Sequence, residues 1–150
     1  FYPLDGIDGW NKMYGKRGFV QYQYAMPMNT ALEGTREILQ ELSKERRASF
    51  LAVLKRFGPQ GPGLLSFPME GLTLALDIPM SDQLLPFLDH LDDIVMKYGG
   101  RIYLAKDSRM KLEVFRAGYS RIEEFCEVKE RFDPDGRFDS DMARRIGLCQ

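Results

Sequence analysis

A single histidine and two cysteines in 150 residues leave little from which to build a metal centre or a histidine-dependent triad. His90 lies in Asp89-His90-Leu91-Asp92-Asp93, where a helical stripe through Leu88, Leu91 and Val95 turns it outward, so it is not expected to be catalytic. Cys126 and Cys149 have neither CxxC nor zinc-type spacing. They are expected to be reduced thiols in a cytosolic setting, not a disulfide. No apolar run reaches the roughly 20 residues of a transmembrane helix, and no signal-peptide pattern opens the chain. A cytoplasmic location is the expectation. Neither sign of charge is in excess, since 21 Lys and Arg stand against 22 Asp and Glu and the basic residues are scattered. The electrostatic footprint of a nucleic-acid binder is missing, so nucleic acid is not expected as a partner. The Gly-rich stretch Gly58-Pro59-Gln60-Gly61-Pro62-Gly63 holds two prolines and no Lys-Ser/Thr ending. It reads as a loop, and neither a P-loop nor a dinucleotide fingerprint is present.

What remains is an ordinary globular composition, 44% apolar and 29% charged, of a length that suits one domain. The chain opens on the apolar Phe1-Tyr2-Pro3-Leu4, unlike a solvated terminus, and is therefore expected to be a fragment of something longer. An irregular segment around Trp10 and Tyr14 precedes a strand over residues 18–28. Asn29 or Thr30, with Thr30 and Glu33 as a capping box, starts a helix to about Arg46 whose apolar stripe is Leu32, Ile38, Leu39 and Leu42. Strands follow over 48–57 and 71–78. Ser81 caps a second helix through Leu84, Leu88, Leu91, Val95 and Tyr98, with Pro86 near its first turn and Gly99-Gly100 closing it. A short strand from Arg101 alternates Ile102 and Leu104 against Tyr103, then turns wholly polar from Lys106 to Arg109. Helical segments follow through Leu112 and Phe115 and through Ile122, Phe125 and Val128. A turn at 132–138 and a short helix capped by Asp139 or Ser140 complete the chain. This order predicts an α+β, ferredoxin-like βαββαβ antiparallel sheet with both helices on one face, plus a C-terminal helical extension.

Alternation assigns the faces. Val20, Tyr22, Tyr24 and Met26 oppose Phe19, Gln21, Gln23 and Ala25; Phe50, Ala52 and Leu54 oppose Leu51, Val53, Lys55 and Phe57; Leu72, Leu74, Leu76 and Ile78 oppose Thr73, Ala75 and Asp77. The helices take the leucine side. The other face then carries Gln21, Gln23, Lys55, Thr73 and Tyr103 among Phe19, Leu51 and Phe57, a mixture of apolar and uncharged polar groups that suits a ligand pocket. Lys106, mounted where the last strand ends, is the leading catalytic candidate, placed to stabilise charge on a reduced cofactor or to orient a substrate hydroxyl. Tyr103 could share proton transfer.

Several of these stretches resemble one family together. They are Gly18-Phe19-Val20-Gln21-Tyr22-Gln23, the strand from Phe50 to Gly58, Leu65-Ser66-Phe67-Pro68, the run from Gly99 to Arg109 containing Ala105-Lys106-Asp107-Ser108-Arg109, and Ser140-Asp141-Met142-Ala143-Arg144-Arg145. They are similar to the C-terminal half of FAD-linked oxidases of the vanillyl-alcohol-oxidase type, the group that includes the decaprenylphosphoryl-β-D-ribose oxidases. The resemblance implies an FAD cofactor bound mainly by a separate N-terminal domain, with this half a single substrate-binding cap over the isoalloxazine. It implies oxidation of a sugar hydroxyl with hydride transfer to flavin N5. Carried over by position, the pocket would include Tyr2, Leu4, Trp10, Gln21, Gln23, Leu51, Lys55, Phe57, Thr73, Ala75, Tyr103 and Lys106, with Lys106 also facing the cofactor. Mycobacterial members have Asn and Cys where this chain has Thr73 and Ala75, which bears on the substrate. A polyprenylphosphoryl-ribose-like, lipid-linked sugar leads, open to peripheral membrane contact. An aldonolactone or alditol oxidase domain and a non-catalytic ligand-binding module on the same fold are the alternatives.

Overall fold

The computed structural model describes residues 6–149; Tyr2 and Leu4 therefore lie outside the described residues. A 3-10 turn at Trp10–Tyr14 leads into β1 (Phe19–Pro27), α1 (Met28–Lys44), β2 (Ala52–Phe57), β3 (Gly71–Pro79), α2 (Leu84–Lys97) and β4 (Arg101–Ile102). A second 3-10 turn, Leu104–Lys106, is followed by α3 (Leu112–Gly118), α4 (Ile122–Phe132) and α5 (Asp141–Arg145). The four strands form one antiparallel sheet in the order β2-β3-β1-β4. This is the expected ferredoxin-like arrangement. Its two central strands pair from Phe19 opposite Pro79 to Pro27 opposite Gly71.

The sheet face chosen by the leucines is the core face. Tyr22, Tyr24, Met26, Leu74, Leu76 and Ile78 are buried there under Ile38 and Leu42 of α1 and Leu84, Leu88, Leu91 and Val95 of α2. Each such side chain contributes about 1.5–3 kcal/mol of burial. The tyrosine hydroxyls stay hydrogen-bonded, Tyr22 donating to Asp92 at 2.9 Å and Tyr24 to Thr35 at 3.2 Å. Gly71 is required by close approach, because a Cβ there would lie 1.8 Å from the Met26 carbonyl oxygen.

Local details depart from the sequence expectations. On α1 the buried residues are Ala31, Gly34, Thr35, Ile38 and Leu42, whereas Leu32 is 65% and Leu39 48% exposed. The helix lies so near the sheet that a Cβ on Gly34 would meet Met26 Sδ at 2.4 Å, so its small residues face inward. The capping box does not form, as α1 starts at Met28 and Thr30 Oγ1 donates instead to the Tyr98 carbonyl at 2.7 Å. Ser81 does not cap α2; its hydroxyl accepts from Arg47 at 2.9 Å, and Pro86 falls in the first turn, where a backbone N–H has no helical partner to lose. Gly99 at φ 69 and the bond from Gly100 N to Val95 O at 2.9 Å close α2 as expected. β2 is shorter than residues 48–57, and Leu54 on its helix side is 57% exposed, because this edge strand lies beyond the cover of the helices. β4 ends at Ile102, so Leu104 belongs to the following turn, although Tyr103 N still donates to Gln23 O at 2.9 Å.

The expectation of reduced thiols is wrong. Cys126 of α4 and Cys149 beyond α5 form a disulfide with a Cα–Cα distance of 5.1 Å. Their spacing carries no local motif because tertiary packing creates the pair: Ile146 is buried and Leu148 packs against the core, which returns the chain end to α4. The argument from thiols to a cytosolic setting falls with it. Among the described residues no helix is long and apolar enough to cross a membrane.

Candidate active site

The face opposite the helices is laid out by register. Gln21 is opposite Asp77, Gln23 opposite Ala75 and Ala25 opposite Thr73; from β2, Val53 is opposite Ala75, Lys55 opposite Thr73 and Phe57 opposite Gly71. Thr73 is fully buried, donates to the Tyr24 carbonyl at 2.7 Å and accepts from Gln23 Nε2 at 3.1 Å. Its hydroxyl is thereby spent on fixing the Gln23 amide. Gln21 and Gln23 are half-buried and Lys55 is exposed.

Two aromatic groups bound this floor. At the Gly71 end of β3 the loop after β2 folds back so that Phe67, 6% exposed, stacks on Tyr103 with centroids 4.3 Å apart and meets the edge of Phe57 at 5.9 Å. Two arginines hold the loop by its backbone, Arg101 Nη1 donating to Ser66 O at 2.8 Å and Arg121 Nη1 to Pro62 O at 3.2 Å. At the opposite end Tyr14 stacks on Phe19 at 4.2 Å, with Trp10 5.8 Å from Phe19 and Phe50 5.3 Å from Tyr14. Beneath them Tyr14 Oη donates to Asp77 Oδ2 at 3.2 Å. Burial and the Asp77 charge raise the Tyr14 hydroxyl above its usual pKa, which keeps it a donor.

The polar run after β4 divides into two kinds of residue. Lys106 is exposed beside a crevice it shares with Gln21, Gln23 and Arg109, and forms no ion pair among the described residues. Arg109 turns inward, with Nη1 2.6 Å from Asp89 Oδ1 and 2.8 Å from Asp92 Oδ2, and Nη2 2.7 Å from Asp92 Oδ1. Burial raises the Asp92 carboxyl, against the opposing pull of Arg109 and the Tyr22 hydroxyl. Asp107 also turns inward, its Oδ1 accepting from the amides of Arg109 at 3.1 Å and Met110 at 2.8 Å. Two members of the motif therefore build the mount, and Lys106 and Ser108 are left at its surface.

The structure thus brings Gln21, Gln23, Lys55, Phe57, Thr73, Ala75 and Tyr103 onto one face, with Lys106 at its β4 edge. Trp10 joins the far aromatic group, and Leu51 is exposed just before β2. Sequence reading missed Phe67, which lies in an aperiodic loop, and the Tyr14–Asp77 pair, for which the alternation that put Asp77 on this face was the available signal. His90 is exposed, 3.6 Å from Glu41. Asp133 caps its own turn, accepting from the amides of Arg137 at 2.7 Å and Phe138 at 2.9 Å. The larger cavities lie elsewhere, a groove of about 1040 Å³ past Tyr119 and Cys126 and an apolar one of about 490 Å³ among Phe125, Phe132 and Phe138. Neither includes a residue of the sheet face.

Residues 11–146 match the family described as D-arabinono-1,4-lactone oxidase. The chain is 43% identical over 148 residues to decaprenylphosphoryl-beta-D-ribose oxidase of Mycolicibacterium smegmatis, covering 99% of this chain and 32% of that protein. It is 37% identical over 146 residues to an uncharacterized protein in the mprA 5' region of Streptomyces coelicolor, covering 97% of this chain and 40% of that one. The chain therefore spans 32% to 40% of the length of these relatives. On the match over residues 11–146, the chain belongs to the D-arabinono-1,4-lactone oxidase family.

Proposed function

We propose that this chain is the substrate-binding half of an FAD-dependent oxidoreductase that oxidises a sugar hydroxyl, with the open sheet face as its substrate site. The observation that supports this best is the contrast within one motif: Asp107 and Arg109 are held in buried contacts while Lys106 is left exposed beside Gln21 and Gln23. The donor set suits a flavin ring and a sugar, offering an ammonium, two amides and aromatic walls. Among the described residues no phosphate-cradling loop accompanies it; the FAD phosphates would be held by an N-terminal domain, and this half by itself would be inactive. When bound, the flavin supplies at N5 the acceptor for the hydride that leaves the sugar carbon.

Lys106 would hold negative charge next to that ring or fix the reacting hydroxyl. Such preorganised charge is effective because it costs no reorganisation during reaction. The Tyr103 hydroxyl would relay the substrate's hydroxyl proton toward solvent, taking one proton and passing on another. Gln21 and Gln23 would hydrogen-bond further sugar hydroxyls, Gln23 being preset by Thr73. Lys55, Phe57, Leu51, Ala75 and Trp10 would line the site, with Tyr2 and Leu4 as further contacts. Residues 73 and 75 would tune the substrate, since a buried Thr73 and a small Ala75 leave Gln21 and Gln23 as the polar groups of the central floor.

The substrate would be a polyprenylphosphoryl-ribose-like, lipid-linked sugar, which would bring the enzyme into contact with a membrane surface. The family description favours a second reading, an aldonolactone. The test is anaerobic addition of polyprenylphosphoryl ribose, and separately of D-arabinono-1,4-lactone, to the purified flavoprotein containing this domain. Bleaching of the flavin band by the lipid-linked sugar is expected. Bleaching by the lactone alone would select the second reading, and a protein that carries no flavin would overturn both.

A further inference from the structure

We propose that Arg145 is a positioning residue that locks the Lys106-bearing turn through Asp107; its bearing on turnover rests on the role given above to Lys106. Arg145 ends α5 and reaches back 38 residues, where Nη2 donates to Asp107 Oδ2 at 2.8 Å and Nη1 to the Met110 carbonyl at 2.5 Å. The Asp107 side chain is 2% exposed. Its other oxygen takes the amides of Arg109 and Met110, so one carboxylate fixes the backbone on the C-terminal side of Lys106. Arg145 is the cation paired with Asp107 among the described residues.

The helix that delivers Arg145 is anchored on both sides. Ser140 Oγ accepts from Ala143 N at 3.1 Å at its start, Ile146 is buried directly after Arg145, and the Cys126–Cys149 disulfide ties down the chain beyond. A five-residue helix has little stability of its own. Here packing and a covalent bond supply it. Losing Arg145 would leave a buried carboxylate without its cation, and such a group turns toward water and gives up its other bonds. The turn would then loosen, and Lys106 with it. A displacement of about 1 Å in a catalytic group can cost roughly 100-fold in rate.

The test uses the whole flavoprotein with Arg145→Met, Arg145→Lys, Lys106→Ala and the Arg145→Met/Lys106→Ala double variant. Amide hydrogen exchange at Arg109 and Met110 should quicken in Arg145→Met and be largely restored in Arg145→Lys. In Arg145→Met the turnover number should fall roughly 10- to 100-fold with flavin content unchanged, and the double variant should be no slower than Lys106→Ala. Unchanged exchange at the two amides would overturn the lock. Multiplying losses in the double variant would show that Arg145 does not act through Lys106. Should Lys106→Ala leave turnover intact, the role given to Lys106 fails and the exchange result still decides the lock.

Discussion

Replacing Arg109 with leucine should unfold the protein more readily than any other change in the polar run after β4. The guanidinium makes three contacts within 2.8 Å to Asp89 and Asp92, and a fourth to the Leu88 carbonyl at 3.1 Å. The Asp92 side chain is 1% exposed, and without Arg109 its remaining partner is the Tyr22 hydroxyl. Breaking a buried pair from one side costs about 3–5 kcal/mol, a large part of the roughly 5–15 kcal/mol that holds a domain folded. At about 2–4 °C per kcal/mol for a domain of this size, the midpoint should drop by about 10 °C. The pH dependence has a definite sign. Burial already raises the Asp92 carboxyl, and removing Arg109 takes away most of what opposes that rise, leaving the Tyr22 hydroxyl. A carboxyl raised in the folded state contributes stability that is full below its unfolded value, about 3.9, and lost as pH climbs through the folded value. The deficit of Arg109→Leu should therefore shrink as pH falls toward about 4. Urea unfolding at neutral and acidic pH measures both effects; a neutral-pH loss under about 1 kcal/mol, the scale of an exposed pair, would refute the reasoning.

Two further predictions concern the frame. Cys126→Ser opens a loop closed over a sequence separation of 23 and should cost about 3 kcal/mol by chain entropy; an unfolding midpoint of the parent that does not respond to reductant would contradict it. Gly71→Ala sets a methyl against the Met26 carbonyl, where only backbone could move, and should cost about 1–3 kcal/mol or more. A parent-like calorimetric midpoint for that variant would show that β1 and β3 can separate at little cost.

The sheet was legible because its signal repeats. The alternation through Tyr22, Tyr24 and Met26 and through Leu74, Leu76 and Ile78 has period two over a length that chance rarely supplies, and the same parity named the open face. The phase of α1 was not legible, since Leu32 and Leu39 look like core until Gly34 is seen to bring the helix against Met26. Caps failed for a related reason: Thr30 and Ser81 spend their hydroxyls on Tyr98 and Arg47, partners distant in sequence. The disulfide and the Arg145–Asp107 pair are contacts between segments that carry no shared period. For the site, parity grouped the glutamines with Thr73 and Ala75. It could not show that Thr73 is buried, or that the loop through Phe67 would return to wall the face beside Tyr103.

Lys106→Ala tests the account most directly, by anaerobic flavin reduction and urea unfolding of the same preparation. Lys106 is exposed and has no ion-pair partner among the described residues, so stability should stay within about 0.5 kcal/mol of the parent. The rate of flavin reduction should fall by about 100-fold or more, the scale of losing one preorganised electrostatic contact. A parent-like rate would contradict the claim that this motif is a buried mount for one working lysine.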